Sequence, residues 1–223
     1  MFKKTLFITL SLLLLGLTAC SGNPTTTSTT TKTSSTSVTT NTGITTRTEE
    51  KTTADPEPVT IPEESPKILV AYFSATNNTE AVARTIANHL DADLYKIMPV
   101  DPYTEDDLRY YSNSRSDKEN ADPDCRPAIV KDNVDISKYD VIFLGYPIWF
   151  GEAPKVIYTF MESYDFKGIK IVPFCTSSSS GIGNSDTHLH ALAEDAVWVK
   201  GERFPEHPGD YIVNGWVDTL KIK

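Results

Sequence analysis

Three short segments of this chain carry side chains whose types and spacing could do chemistry on a bound ligand. The first, Ser74-Ala75-Thr76-Asn77-Asn78-Thr79, offers hydroxyls and amides just ahead of a helical pattern and contains no Lys or Arg. Free N–H groups and the positive end of a helix dipole favour an anion, and Ser and Thr hydroxyls could complete the shell of a phosphate without a basic residue. The plainer reading makes these turn and cap residues only. The second segment, Tyr146-Pro147-Ile148-Trp149-Phe150-Gly151, puts large aromatics where a strand should end, so a flat ligand could stack there. Alternatively Trp149 or Phe150 belongs to the core, where most aromatics are found. The third, Thr176-Ser177-Ser178-Ser179-Ser180-Gly181-Ile182-Gly183, is small and polar, which lets backbone approach a ligand edge and donate hydrogen bonds to it. No general acid or base stands out: His188 and His190 fall on or beside a helix and read as surface residues. There is no G-x-x-x-x-G-K-[ST] for a nucleoside triphosphate and no G-x-G-x-x-G after the first strand for a dinucleotide.

These segments depend on the elements around them for their positions. Residues 67–73 form a short apolar run with β-branched and aromatic members, the pattern of a strand buried on both faces. Val82, Ala83, Ile86, Ala87 and Leu90 then make a stripe down one side of a helix, with Asn77 and Glu80 as a capping-box-like pair at its start. Residues 92–98 read as a second strand. The stretch 99–139 is long, polar and acidic, with only a weak helical pattern between Thr104 and Asn120. A second fully apolar strand covers 139–145, and Ala153-Pro154 opens a helix that buries Val156, Ile157, Phe160 and Met161. Strand 170–175, helix 185–193 with Leu189 and Leu192 inward, strand 196–200 and a closing helix over about 208–220 complete the alternation. Such alternation predicts a parallel sheet covered on both faces, with right-handed crossovers. Ligands of open parallel sheets bind outside the carboxyl ends of the strands, and all three segments follow strands.

The chain has 223 residues and a formal net charge of −9. From Lys67 onward 16 basic residues face 24 acidic ones, a domain near −8. That charge argues against a nucleic-acid partner and favours a basic protein partner. Residues 1–19 look like an export signal: Lys3 and Lys4 precede an apolar run from about Leu6 to Leu17, too short to span a bilayer. Leu17-Thr18-Ala19-Cys20 resembles the lipobox of bacterial lipoproteins, which implies lipidation at Cys20. Residues 20–66 are then a Thr/Ser-rich tether unable to bury a core, with a reach of roughly 35–40 Å as a random coil. The expected organisation is a signal over 1–19, a lipidated tether over 20–66 and one domain over 67–223, held outside the cytoplasm on the bacterial cell membrane. Cys125 and Cys175 could pair in that oxidising compartment, although nothing in the sequence brings them together.

Taken together, Phe73 to Thr79 after the first strand, Gly145 to Gly151 after the third and Thr176 to Gly183 after the fourth resemble the flavodoxin-like family. Arg126-Pro127, Asp140-Val141-Ile142, Tyr164-Asp165-Phe166 and Gly168 look like its branch of small flavodoxins with a Tyr-Pro-Ile-Trp loop. The resemblance implies an α/β three-layer sandwich, a five-stranded parallel sheet in the order 2-1-3-4-5, and one non-covalent FMN. Ser74, Thr76, Asn77, Asn78 and Thr79 would hold its phosphate. Pro147, Ile148, Trp149, Phe150 and Gly151 would flank the isoalloxazine, with Trp149 as the stacking ring. Thr176, Ser177, Ser178, Ser179 and Gly181 would face its redox edge. Two departures stand out: Phe150 occupies a position where this branch often has a second Trp, and Ser replaces the glycines common in the third loop. The implied function is electron transfer without a catalytic side chain, between an unknown donor in the membrane and an acceptor outside the cytoplasm. The acidic surface would lower the flavin potential. The alternatives are an FMN-dependent NAD(P)H quinone or flavin reductase, and a binding module that has lost its cofactor.

Overall fold

The computed structural model describes residues 65–222 apart from 112 and 133, so the expected export signal, Cys20 and the expected tether lie outside the described residues. Strand β1 (Ile68–Tyr72) is buried at every position. It pairs in parallel with β2 (Asp93–Lys96) on one side and β3 (Val141–Pro147) on the other. Beyond β3 come β4 (Lys170–Thr176) and β5 (Val197–Trp198), giving the order β2-β1-β3-β4-β5. A short β6 (Glu202–Phe204) also pairs with β4.

Side-chain alternation assigns each strand residue to one of two cores. Ile68, Val70, Tyr72, Val141, Phe143, Val172 and Phe174 face the helices α1 (Asn78–Leu90) and α5 (Asp210–Thr219). Leu69, Ala71, Phe73, Ile142, Leu144, Tyr146, Ile171 and Cys175 face α3 (Lys155–Ser163) and Leu189 of α4 (Ser185–His190). The result is the expected three-layer α/β sandwich. Cys125 and Cys175 are both free thiols, and the latter is buried in the second core.

Several elements differ from expectation. The expected last strand, 196–200, shortens to β5 and an unexpected β6 follows it, with a change of register against β4 between them: Lys170 lies opposite Val197, but Phe174 lies opposite Glu202. One extra residue is therefore accommodated on the edge opposite Val172 and Pro173, as in a bulge. Pro173 has no N–H to donate, so the ladder breaks at that position. Gly201 fits there because a Cβ would meet the Pro173 carbonyl oxygen at 2.8 Å. Helix α4 ends at His190, three residues early, and leaves Leu192 partly buried against the core beyond it. In α5, where the sequence pattern offered Ile212, Trp216, Val217 and Leu220 as the apolar residues, the buried ones are Val213 and Val217, and Ile212 is exposed.

The capping box at Asn77 and Glu80 does not form. Asn77 has φ 66° and makes no side-chain cap, while Glu80 binds Arg84 at 2.6 Å and Lys96 at 2.7 Å. Those two hydrogen bonds hold the Glu80 carboxyl below its usual pKa. A capping box occurs instead in the acidic stretch, where Ser114 Oγ accepts from the Asp117 N–H and Asp117 accepts from the Ser114 N–H at the start of α2 (Arg115–Ala121). The stretch closes on itself: Pro99 bridges Ile129, and the N–H groups of Val100 and Val130 bond Ala128 and Met98. Arg126 pins it to α3 through a two-point bond to Glu162, at 2.8 and 2.9 Å.

Candidate functional site

The first loop begins where β1 ends. Ser74 is buried, and its Oγ has no hydrogen-bond partner among the described residues. A buried hydroxyl left alone costs about 1–3 kcal/mol, which a ligand oxygen would recover. Asn77, in the left-handed conformation that Asn tolerates better than most residues, turns the chain into α1, whose first N–H groups have no partner within the helix. Thr79 lies beneath this loop, fully buried, and its hydroxyl shares a 2.7 Å hydrogen bond with that of Thr176 at the end of β4. One buried bond therefore fixes the first and third loops to each other.

The second loop is a tight hairpin. Trp149 and Glu152 exchange N–H···O bonds of 2.9 Å in each direction, and the two residues between them, Phe150 and Gly151, have φ values of 52° and 84°. Both positive angles match a type I′ turn, in which Gly is favoured and Phe is strained. Phe150 is held there with its ring against Tyr110, 4.7 Å between centroids, and near Tyr111 at 5.9 Å. Trp149 points the other way and is gripped edge-on by Phe73 at 5.5 Å and Tyr103 at 5.0 Å. Tyr103 is itself covered by the Arg115 guanidinium at 4.2 Å and bonded to Glu119. Burial and that carboxylate raise the Tyr103 pKa, so the phenol stays neutral.

The third loop hangs from β6. The Ser177 N–H bonds the Phe204 carbonyl at 3.0 Å, Arg203 donates to the Ser177 carbonyl at 2.6 Å, and Ser178 Oγ bonds Glu206 at 3.1 Å. The Ser180 N–H bonds Ser177 Oγ at 3.0 Å, which folds the Ser run into a turn without glycine. At the loop's far end the Tyr146 hydroxyl meets Ser185 Oγ at 3.1 Å, seating the start of α4.

These loops converge on one cavity of about 760 Å³ at the carboxyl ends of β1, β3 and β4. Its walls include Thr76, Asn78, Pro147, Ile148, Trp149, Phe150, Gly151, Thr176, Ser177, Ser178 and Ser179. Of the other expected residues, Ser74, Asn77, Thr79 and Gly181 are not in the lining: Ser74 and Thr79 are buried, and Asn77 and Gly181 are exposed. Sequence reasoning missed five wall residues: Leu108, Tyr110, Tyr111, Ser180 and Glu206. The available signal was an aromatic pair inside an unusually long loop, since long ordered loops tend to carry function. No Lys or Arg lines the cavity, and Glu206 is its one charged wall residue among those described.

A volume of this size lies within the range of cofactor sites. Thr76 and Asn78 at a helix start on one side, aromatic rings on another and a Ser loop on the third suit a ligand with one anionic end and one flat end. Fold and site together define a flavodoxin-like α/β protein with a preformed cofactor-sized cleft.

The chain belongs to the flavodoxin family, whose model matches residues 67–220. It is similar to two proteins of solved structure provisionally described as flavoproteins. One, from Bacteroides eggerthii DSM 20697, is 43% identical, with 71% of this chain and 99% of that chain covered and a TM-score of 0.66. The other, from Bacteroides uniformis ATCC 8492, is 38% identical, with 70% and 99% covered and the same TM-score of 0.66. A flavoprotein of Lactobacillus acidophilus NCFM, solved in complex with FMN, shares the fold at 23% identity, with 69% and 97% covered and a TM-score of 0.52. No curated protein matches the chain.

Proposed function

We propose that this chain is an FMN-binding electron-transfer protein of the small-flavodoxin branch, working outside the cytoplasmic membrane on a lipid anchor at Cys20. The observation that carries the reading is the single cavity that sets Thr76 and Asn78, at the start of α1, across from the rings of Trp149 and Phe150. FMN, when bound, supplies one- and two-electron redox chemistry that no side chain of the cleft offers. Ser74, Thr76, Asn77, Asn78 and the N–H groups opening α1 hold the phosphate, with neutral donors in place of a cation. Thr79 acts through its bond to Thr176, keeping those donors in register with the third loop. Trp149 and Phe150 flank the ring system and exclude water from it. Backbone around Gly151 and residues 177–179 presents hydrogen-bonding groups to the redox edge.

Purified full-length chain should carry or take up FMN and show its visible absorption bands; a colourless protein after incubation with FMN would refute the reading. Ser74→Ala should weaken FMN binding by about 1.5–3 kcal/mol, as loss of a hydrogen bond to a charged group does, and leave riboflavin affinity unchanged. Equal losses for both ligands would place Ser74 away from the phosphate. Rapid bleaching by NADH or NADPH alone would favour the reductase over the carrier.

The donor is proposed to lie in the membrane and the acceptor beyond it, because an anchored extracytoplasmic domain is cut off from soluble cytoplasmic partners. Cys20→Ser should move the chain from the membrane fraction to the soluble extracytoplasmic fraction. A wild-type chain already soluble would rule out the anchor.

A further inference from the structure

The cavity has a nearby cation that the fold has taken care to place. Arg203 is partly buried, its Nε is buried without a hydrogen-bond partner, and no carboxylate pairs with its guanidinium among the described residues. Its guanidinium donates to the carbonyl of Ser177, a cavity wall residue, at 2.6 Å. An uncompensated, partly desolvated charge is costly to keep unless it serves something nearby.

The register change in the edge strand is what puts it there. Because one extra residue sits opposite Val172 and Pro173, Arg203 lies beside Cys175 and Phe204 beside Thr176. With unbroken pairing from β5, Arg203 would fall beside Thr176 and its side chain would leave on the other face. The bulge thus turns the guanidinium towards the underside of the third loop and drops Phe204 into the α1/α5 core. Three residues on, Glu206 holds the same loop from the solvent side through Ser178 Oγ and supplies the wall's charged side chain. Opposite charges therefore grip one loop from beneath and from the rim.

We propose that Arg203 and Glu206 are positioning residues that set the reduction potential of the bound cofactor in opposite directions. The inference rests on the FMN reading of the cleft. Two-electron reduction increases electron density on the ring system, so a neighbouring cation stabilises the reduced form and raises the potential, whereas an anion lowers it. Arg203 opposes the pull of an acidic domain at the ring, and Glu206 adds to it.

The test is the two-electron midpoint potential at pH 7, read from the flavin spectrum of the full chain against a reference dye during dithionite titration. Arg203→Gln should lower the potential, corresponding to about a tenfold loss in preference for the reduced over the oxidised cofactor, or about 30 mV for a two-electron couple. Arg203→Lys, which keeps the charge, should stay near wild type. The exposed Glu206→Gln should raise the potential and will fold whether or not the Arg203 variants do. An unchanged potential in Glu206→Gln, or equal shifts in Arg203→Gln and Arg203→Lys, overturns the electrostatic role while the FMN reading stands. A wild-type chain that takes up no FMN overturns both.

Discussion

Gly145→Ala should destabilise the domain by about 3 kcal/mol, near the upper end of what one added methyl does to a packed core. The ring of Phe174 lies over Gly145 in the middle of the sheet, and a Cβ there would sit 2.2 Å from its Cζ and 2.6 and 2.8 Å from its Cε atoms. The ring has nowhere to go. Phe174 is fully buried, and its core also holds Phe143 and Phe204, both packed edge-on against Trp216. A strand-centre position on β3 cannot retreat either, because it is paired on both sides. Chemical denaturation checks the expectation through the transition midpoint. In the Phe174→Leu background the clash is relieved, so the two changes together should cost clearly less than their sum. Strict additivity would show that the close approach is not what fixes glycine here. Because β3 ends in the Trp149 loop, the same substitution should also loosen the cleft.

Trp149→Ala should raise the FMN dissociation constant roughly 5- to 150-fold, or about 1–3 kcal/mol, the range for loss of a large aromatic contact. The indole lines the cavity while its edges are held by Phe73 and Tyr103, so removing it takes away a contact surface and unbraces the wall behind it. Trp149→Phe separates the two effects, since a smaller ring keeps a stacking face and part of the packing, and most of the affinity should return. FMN titration by fluorescence quenching gives the constants, and thermal melting of the cofactor-free forms gives the stability change. An unchanged dissociation constant in Trp149→Ala would remove Trp149 from the site and leave Phe150, Tyr110 and Tyr111 as its aromatic wall.

Much of this molecule was legible in one dimension because the relevant signals are local. Runs such as Ile68–Tyr72 and Val141–Pro147 are short, apolar and without alternation, the pattern of a strand buried on both faces, and the helix of Val82, Ile86 and Leu90 declares its inner side by spacing alone. From those patterns the parallel sheet and the three loops at its carboxyl ends follow, and the family resemblance supplied the strand order. The Asn77 and Glu80 pair misled for an equally physical reason: a cap pattern in sequence competes with distant partners, and Lys96, on the neighbouring strand, helped to draw Glu80 away.

Tertiary structure alone decided the rest. Polar residues 99–130 carry only a weak helical pattern between Thr104 and Asn120, so nothing local showed that their ends pair at Pro99 and Ile129 or that Tyr110 and Tyr111 close over Phe150. The strand-ending aromatics looked equivalent in sequence, yet the positive φ angles of the Phe150-Gly151 turn send Trp149 towards Phe73 and Tyr103, and Phe150 towards the tyrosines. Pro173 was visible as a residue, but its effect appears only across the ladder, where the edge strand must gain a residue and Arg203 changes face. Sequence periodicity reports which side of an element is buried; it carries no information about what a side chain meets across a gap of many residues, and that is where the walls and charges of this cleft are decided.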